Sequence, residues 1–212
     1  ALRVLKEVDL ILCEDTRVTK RLISKYEIGT PTMSYHAQSK LSKSDKILAL
    51  LAEGKNLALV SDAGTPCISD PGMLLVSQIL KLNVSGQLSN VQIVPIPGPS
   101  ALVTALSAAG ISVAEFTFLG FLPHKKGRET LFKEIAASSR VMAFYESPHR
   151  IEKALESLEK FCGAERGVIV ARELTKIYEE FVRGTAAEVR AHFAQNPDRI
   201  RGEFVVIVGG RI

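Results

Sequence analysis

Four short turns of the chain hold residue types that could bind a small ligand. They combine small side chains, Gly, Pro and acidic residues: CEDTR (13–17), SDAGTP (61–66), PGPSA (97–101) and YESPH (145–149). Accessible backbone N–H groups and small side chains let a ligand approach the main chain closely. The Asp62 carboxylate can accept hydrogen bonds from hydroxyl or amino groups, and Pro66 stiffens the same turn. We therefore expect these turns to form a ligand site.

Several well-known site motifs do not occur in the sequence. There is no GxxxxGK[ST] phosphate loop, no GxGxxG after a strand and no GxSxG turn. No two histidines have the spacing of a metal-binding pair, so no metal site is expected. These patterns disfavour nucleoside triphosphates and the usual dinucleotide cofactors. A nucleoside-like ligand without a polyphosphate suits turns that are rich in N–H groups and poor in lysine.

The composition indicates a sizeable core and a mild positive charge. Hydrophobic residues make up 46% of the 212 residues, and the net charge is +4, which favours a polyanionic partner without identifying one. No apolar run is long enough to span a membrane, and no signal peptide is visible. The cysteines (Cys13, Cys67 and Cys162) are odd in number and lack CxxC spacing. This usage favours a reduced, cytoplasmic protein.

The first half of the chain alternates predicted strands and helices. Apolar runs predict strands at Asp9–Cys13, Leu57–Val60 and Val91–Pro95, each followed by a turn and a helical period. Such alternation predicts a mostly parallel sheet covered by helices. Ligands bind at the carboxyl ends of the strands in a sheet of this kind, and the first three turns would lie there.

The pattern changes near residue 112. Strands are predicted at Phe116–Leu119, Val141–Tyr145, Val168–Ala171, 178–184 and 202–210, with a helix to Phe161 after the second. Some of these strands follow one another closely without a helix between them, which predicts a mixed sheet. Thr185 and Glu188 fit a capping box before a further helix. We therefore predict two α/β domains, residues 1–112 with a mostly parallel sheet and residues 113–212 with a mixed sheet.

Seven segments together resemble one known enzyme family. In chain order they are CEDTRVTKRL, VSDAGTPCISDPG, PIPGPSALVTAL, FLGFLP, FYESPHRI, ARELTKIYEEFVRGT and GEFVVIVGG. They are similar to the ribosomal RNA small subunit methyltransferase I family, a tetrapyrrole-methylase-like (class III) family. The resemblance implies two α/β domains with S-adenosyl-L-methionine (SAM) in the cleft between them, and a homodimer. It also implies 2′-O-methylation of a cytidine ribose in the decoding region of 16S rRNA.

The family pattern includes a first strand and a turn resembling TPIGNLxD, which this sequence does not show. The chain starts at Ala1, without Met, on the helix-like spacing of Leu2, Val4, Leu5 and Val8. Either the natural start lies upstream, and with it a central strand and part of the active-site wall, or the natural protein has lost this segment.

The resemblance also implies which residues contact SAM. In the first domain they are Asp62, Ala63, Gly64, Thr65, Ser100 and Ala101. In the second domain they are Tyr145 and Leu174. Simpler interpretations stay open, because Asp62 could bond its own turn, and Tyr145 and Leu174 could be core residues.

Methyl transfer to a hydroxyl benefits from a proton acceptor and from aligned reacting atoms. The acceptor candidates near the turns are Glu14, Asp15, Glu146, His149 and Glu173. Neighbouring cations could hold phosphate: Arg17, which we group with the catalytic candidates, Arg150, Arg172 and Lys176. A helix cap or a salt bridge is the alternative for each, and Asp15 in particular fits an N-cap.

Two basic segments could contact RNA in the small ribosomal subunit. Pro123–Glu129 contains His124, Lys125, Lys126 and Arg128, and the helix after CEDTR contains Arg17, Lys20, Arg21 and Lys25. Each is either a solvated surface or a phosphate-contacting arm.

Three functions therefore compete. The first is an rRNA ribose methyltransferase. The second is a class III methyltransferase of small tetrapyrrole-like molecules, which the basic segments disfavour. The third is a catalytically silent RNA-binding module, which would be favoured if nature lacks the first strand. SAM binding separates the first two from the third, and methylation of small ribosomal subunits separates the first from the second.

Overall fold

A computed structural model of the chain describes residues 1–36, 41–88 and 91–210. It divides into two compact units, Ala1–Ser100 and Ala101–Ile212. The domain boundary near residue 112 stays a prediction.

The first unit contains a three-stranded parallel sheet, as predicted. Its strands are β1 (Leu10–Cys13), β2 (Thr32–Ser34) and β3 (Leu57–Val60), in the order β2-β1-β3. Its helices are α1 (Leu2–Glu7), α2 (Thr16–Lys25), α3 (Leu41–Ala52) and α4 (Met73–Val84). Because the strands are parallel, β1 and β3 end at the same edge of the sheet.

The central strand β1 is buried on both faces. Ile11 and Cys13 have no exposed surface, and Leu12 is 2% exposed. Leu12 packs in a cluster with Ile47 of α3, whereas Ile11 packs with Ile28 in a separate cluster. Burial on both faces explains why β1 is a continuous apolar run rather than an alternating one.

The strand predicted at Val91–Pro95 is wrong. Residues 91–100 form neither helix nor strand, and residues 92–99 are exposed. A strand depends on hydrogen bonds to a neighbour, and the described strands of this unit pair only with one another. The apolar run that suggested this strand could not show whether a partner strand lies beside it.

The second unit contains a five-stranded mixed sheet, again as predicted. Its strands are β4 (Phe116–Phe121), β5 (Val141–Glu146), β6 (Gly167–Arg172), β7 (Glu180–Thr185) and β8 (Phe204–Val208), in the order β4-β5-β8-β6-β7. Its helices are α5 (Ala101–Ser107), α6 (Arg128–Ala137), α7 (Ile151–Cys162) and α8 (Ala186–Gln195). β5 is parallel to β4, and β8 is antiparallel to β5 and β6. Therefore β4, β5 and β6 all end at one edge, where β7 begins.

Helices cover both faces of this second sheet. On one face Phe144 packs in a cluster with Leu155 of α7 and Phe193 of α8. On the other face Ile207 packs with Leu106 of α5. The central strand β8 is buried along its whole length, which explains the unbroken apolar sequence FVVIV.

The capping box predicted at the start of the helix after residue 185 is confirmed. The capping box at α8 is present, because Glu188 N–H donates to the Thr185 hydroxyl at 3.2 Å and Thr185 N–H donates to the Glu188 carboxylate at 2.8 Å. The sequence pattern did not reveal two elements, β2 in the first unit and α6 in the second. Helix α6 begins at Arg128, inside the segment Pro123–Glu129, for which a loop or an arm was predicted.

Candidate functional site

Two of the predicted turns meet at the carboxyl edge of the first sheet. CEDTR follows β1, and SDAGTP follows β3. The Asp15 N–H donates a hydrogen bond to Oδ1 of Asp62, at 3.2 Å. The parallel strands thus bring both turns to the edge where ligands bind in open α/β sheets.

A third predicted turn is joined to these two. The Thr65 hydroxyl donates to the carbonyl oxygen of Pro99, at 3.0 Å, so SDAGTP lies against PGPSA. Gly64 has a φ of +80°, and among the described atoms beyond its chain neighbours a Cβ there would meet only the Pro99 carbonyl oxygen, at 4.0 Å. The main chain of this loop is therefore accessible. Ser100 immediately precedes α5, and Ala101 begins it.

Asp15 is held by hydrogen bonds within its own turn. It caps α2 by accepting from the Arg17 N–H at 2.8 Å, and its other oxygen lies 2.6 Å from the Arg17 guanidinium. The N-cap interpretation is therefore confirmed. The side-chain and backbone hydrogen bonds from Arg17 lower the pKa of Asp15 to about 2. Such a carboxylate is a weak base, so Asp15 and Arg17 suit positioning of the turn better than proton transfer.

Other carboxylates make the same edge acidic. Burial, followed by the charges of Asp62 and Asp70, raises the pKa of Glu14. Burial also raises the pKa of Asp70, and Asp62 adds to that rise against a hydrogen bond from Ser61. Asp62 and Ala63 are exposed. Carboxylates that raise one another's pKa create a site that favours a bound cation.

In the second unit, Tyr145 lies near the end of β5 and is half-buried. Its hydroxyl oxygen accepts a hydrogen bond from the Leu102 N–H of α5, at 3.3 Å. Its ring centroid lies 4.9 Å from that of Phe118 and 5.4 Å from that of Phe121. Tyr145 therefore belongs to the core and also makes a polar contact next to Ala101, another predicted site residue.

Glu146 is fully buried between two arginines. Its Oε2 lies 3.0 Å from Arg128 Nη2, and its Oε1 lies 2.8 Å from Arg150 Nη2. Arg150 also donates to the carbonyl oxygen of Leu122, and Arg128 to that of Pro123. These bonds tie the YESPH turn to the segment after β4. With both oxygens engaged and no exposed surface, Glu146 suits a positioning role.

The other predicted residues of this unit lie on loops at the same edge. His149 is exposed in the turn after β5. Glu173 follows β6, and its Oε1 lies 2.8 Å from Lys176 Nζ. Leu174 packs against the core on the side of α5. Because β5 and β6 end at one edge, the structure places His149, Glu173 and Leu174 on loops of that edge, where the β5 residue Tyr145 also lies.

The basic segment after β4 is not a uniformly solvated loop. Lys125 and Lys126 are exposed, whereas the Arg128 side chain is only 15% exposed and is paired with Glu146. Arg128 thus holds the segment in place through its contacts with Glu146 and with the Pro123 carbonyl oxygen. The prediction that Arg128 lies in a solvated loop or a phosphate-contacting arm is wrong. The basic side chains of α2 are exposed: Arg17, Lys20, Arg21 and Lys25.

The sequence pattern did not reveal a cluster around Glu180, the first residue of β7. Its carboxylate lies 2.7 Å from Arg172 Nε and 3.0 Å from His192 Nε2, and it also pairs with Arg199. Burial would raise the pKa of Glu180, but these three hydrogen bonds outweigh it and lower the pKa. Arg172, predicted to hold phosphate, is committed to this pair. The pairing becomes visible only when the register of β6 and β7 is known, because Arg172 lies opposite Glu180.

Three further findings concern metals, thiols and membranes. The described residues hold no group of three or more His, Cys, Asp or Glu side chains placed to bind a metal ion. The thiols of Cys13, Cys67 and Cys162 are free, and burial raises the pKa of each. Within the described ranges, every helix is too short or too polar to cross a bilayer.

Comparison with known proteins identifies a matching family and relatives that share one name. Residues 1–190 match the family described as Tetrapyrrole (Corrin/Porphyrin) Methylases. Relatives that bear the name "Ribosomal RNA small subunit methyltransferase I" include the three that follow. The relative from Synechocystis sp. is 43% identical over 99% of this chain and 72% of its own length. Those from Bacillus subtilis and Thermotoga maritima are 45% and 41% identical, over 99% and 100% of this chain and 69% and 90% of their own.

Two solved structures share the fold. One is a cobalamin biosynthetic enzyme, cobalt precorrin-4 methyltransferase CbiF, with a TM-score of 0.64 and 21% identity over 98% of this chain and 86% of its own. The other is the methyltransferase CobJ, with a TM-score of 0.66 and 20% identity over 99% of this chain and 88% of its own. At this identity the likeness concerns the fold alone. The predicted tetrapyrrole-methylase-like α/β class is confirmed.

Proposed function

The chain belongs to the ribosomal RNA small subunit methyltransferase I family of the tetrapyrrole methylases, and we propose that it methylates the ribose 2′-hydroxyl of a cytidine in the decoding region of 16S rRNA, with SAM as donor. It is accordingly a methyltransferase of small-subunit ribosomal RNA. The observation that carries the proposed donor site is the joining of three family-like turns at one sheet edge, through the Asp15–Asp62 and Thr65–Pro99 hydrogen bonds.

The residues that we assign to the donor fit a cationic nucleoside. They are Asp62, Ala63, Gly64, Thr65, Ser100, Ala101, Tyr145 and Leu174. SAM supplies a methyl group on a positively charged sulfonium. The acidic edge formed by Glu14, Asp62 and Asp70 favours such a charge. The accessible main chain at Gly64 suits the close approach of a ribose or a base.

We assign proton uptake from the hydroxyl to Glu14. Asp15 has a pKa of about 2, and Glu146 is buried with both oxygens engaged. Glu173 is held in an ion pair. Glu14 is partly exposed, directly follows β1 and has a raised pKa, so its carboxylate is the stronger proton acceptor. A catalytic role for His149 stays a prediction.

The second unit supplies cations for the RNA backbone. Lys125 and Lys126 are exposed after β4, and His149 is exposed after β5. Arg128 and Arg150, held by Glu146, fix the backbone of both segments. Contacts to phosphate position RNA without reading its sequence, and they make binding dependent on salt. We therefore expect this edge to orient the ribosomal substrate.

Methyl transfer to isolated small ribosomal subunits tests the proposal. With subunits from cells that lack this activity, we expect one labelled methyl group in 16S rRNA, recovered as 2′-O-methylcytidine. The likeness to a cobalamin biosynthetic enzyme motivates a parallel assay with corrin precursors. Transfer to a corrin instead of RNA would favour the small-molecule alternative, and RNA binding without any transfer would favour the silent module.

The assembly and location follow from the same proposal. Membership of the family supports a homodimer, which light scattering on the complete natural protein would test. A monomer at all accessible concentrations would contradict it. Because ribosomal subunits are cytoplasmic, we assign the protein to the cytoplasm.

Replacing Gly64 by Ala should weaken SAM binding by about tenfold. The added methyl group would block about one hydrogen bond between SAM and the main chain, and the loss of one such bond corresponds to about this factor. Gly54→Ala is the matched control, because Gly54 has a φ of +79° and a Cβ there meets nothing within 4 Å. Both variants acquire the same left-handed strain, about 1–2 kcal/mol. Calorimetry and thermal melts should therefore show equal destabilisation but unequal SAM affinity. Equal affinities would remove Gly64 from the donor site.

Neutralising Lys125 and Lys126 together should weaken binding to the small subunit and flatten its salt dependence. The log–log slope should change by about 0.7–0.9 for each lysine that pairs with a phosphate in the complex. SAM affinity should not change. As a control, we suggest neutralising Lys81 and Lys153, which are exposed on α4 and α7. A slope equal to that of the control would mean that the segment after β4 is merely solvated.

A further inference from the structure

The loop that joins β6 to β7 (residues 173–179) exposes two large side chains at its tip. Ile177 is 90% exposed and Tyr178 is 70% exposed. Exposing a branched aliphatic and an aromatic side chain side by side is costly in water. Such a pair at the functional edge of a sheet is therefore a candidate contact surface.

This β6–β7 loop is held in shape by its own hydrogen bonds. Lys176 N–H donates to the Glu173 carbonyl at 3.0 Å, Glu179 N–H to the Lys176 carbonyl at 3.1 Å, and Thr175 N–H to the Glu179 carboxylate at 2.6 Å. Glu173 and Thr175 adopt φ values of +49° and +65°, which non-glycine residues rarely do. Strain of this kind persists where the surrounding structure fixes it, and it clusters at functional positions.

The base of the loop is anchored to the unit. Leu174 packs against the core beside α5. The Glu173 carboxylate lies so close to Gly202 that a Cβ there would come within 2.1 Å of its Oε1. With its base fixed, the loop presents Ile177 and Tyr178 as a preformed surface, so little conformational entropy is lost on binding.

The electrostatics of the surrounding edge indicate the class of partner. The segments at this edge expose five basic side chains, Lys125, Lys126, Lys176, Arg199 and Arg201, of which Lys176 pairs with Glu173 and Arg199 with Glu180. They expose three acidic ones: Glu179, Asp198 and Glu203. The partly or fully buried charges there balance, because Arg128, Arg150 and Arg172 are matched by Glu146, Glu173 and Glu180, so the exposed side chains decide the sign of the edge. A rigid aromatic tip within a cationic edge is the combination that binds unpaired nucleic acid, where bases stack on rings and phosphates meet cations.

We propose that the β6–β7 loop is a stacking contact for an unpaired base of the RNA substrate, with the Tyr178 ring against the face of the base and Ile177 beside it. This inference rests on the proposed function. A paired base is excluded as the ligand because its faces are covered by neighbours in the helix. The contact would hold the strand next to the nucleotide that is methylated.

The test compares Tyr178→Ala and Tyr178→Phe in the complete natural protein. The probe is an unpaired oligoribonucleotide that carries 2-aminopurine, whose fluorescence reports stacking. Tyr178→Ala should bind about 5- to 100-fold more weakly, the range for loss of one base–aromatic stack, with an unchanged salt slope. Tyr178→Phe should bind like the natural protein. Tyr26→Ala, at a tyrosine that directly follows α2 and is 37% exposed, is the control.

The possible failures are distinguishable. If the natural protein methylates small subunits but Tyr178→Ala binds the probe equally well, the stacking inference fails alone. If Tyr178→Phe is as weak as Tyr178→Ala, the hydroxyl and not the ring makes the contact, which also overturns it. Dissociation of an oligomer by Tyr178→Ala would assign the tip to a second copy of the chain. If the natural protein neither binds nor methylates RNA, the proposed function fails and this inference fails with it.

Discussion

Replacing Glu146 by Gln should lower the free energy of unfolding by about 3–5 kcal/mol, the usual cost of removing one partner from a buried ion pair. Glu146 has no exposed surface, and its carboxylate faces Arg128 at 3.0 Å and Arg150 at 2.8 Å. The neutral amide would leave both guanidinium groups largely buried without a counter-charge. Chemical denaturation of the variant and the natural protein measures the difference.

Glu115→Gln is the matched control on the surface of the same unit. Glu115 also pairs with an arginine, Arg140, at 2.9 Å, but the two side chains are 74% and 64% exposed. An exposed pair of this kind contributes at most about 1 kcal/mol. Equal losses in the two variants would show that the Glu146 cluster does not stabilise the unit. Loss of methyl transfer without loss of stability would return Glu146 to the catalytic candidates.

The same cluster links stability to the edge that we propose binds RNA. Arg128 and Arg150 reach the carbonyl oxygens of Pro123 and Leu122, so Glu146 indirectly fixes the segment that carries the exposed lysines. Glu146→Gln should therefore weaken RNA binding even where the protein stays folded. The log–log slope of RNA affinity against salt concentration should change less in Glu146→Gln than in the double lysine variant, because no phosphate-contacting charge is removed.

The fold was predictable from the sequence where an element carries its own signal. Continuous apolar runs predicted β1, β3 and β8. For β1 and β8 the reason is burial on both faces, which leaves no polar side, whereas β3 is only partly buried. The capping box predicted the start of α8, since both of its hydrogen bonds are local. The failure at Val91–Pro95 has the opposite cause, because a strand also depends on a neighbour that lies elsewhere in the sequence.

The candidate site was predictable in its main chain and not in its side-chain partners. Parallel strands place their carboxyl ends together, so the meeting of CEDTR with SDAGTP followed from the topology. The partners of Glu146 and Glu180 did not. Arg128 reaches Glu146 from the first turn of an unpredicted helix, and Arg172 faces Glu180 only through strand register. Whether a charge is free for a ligand or used inside the protein is a tertiary property.

Replacing Glu14 by Gln should reduce methyl transfer by about 10²- to 10⁴-fold, the usual contribution of a general base. Glu14 follows β1 at the proposed donor edge, and its pKa is raised by burial and then by Asp62 and Asp70. The rate for the natural protein should therefore fall in acid, where Glu14 becomes protonated and can no longer accept the proton. The variant should lack this acidic limb. Single-turnover rates at saturating SAM, measured across pH, test both statements.

The same substitution should make the protein more stable at neutral pH. A carboxyl whose pKa is raised by folding binds its proton more tightly in the folded state, so its ionised form opposes folding above that pKa. Gln resembles the protonated form and removes this opposition. We expect Glu14→Gln to melt at a higher temperature than the natural protein in neutral buffer. The difference should vanish below the pKa of the unfolded glutamate, where both side chains are neutral.

Asp70→Asn separates catalysis from this electrostatic effect. Burial and Asp62 raise the pKa of Asp70 as well, so its neutralisation should also raise the melting temperature at neutral pH. Asp70 is not assigned to proton uptake, so at saturating SAM and neutral pH its variant should transfer methyl groups at nearly the natural rate. Its acidic limb should move to lower pH, because Asp70 no longer raises the pKa of Glu14. If both variants keep the natural rate and pH profile, Glu14 is not the base. If both lose transfer equally, the acidic edge acts through its summed charge on the donor, and no single carboxylate carries the proton.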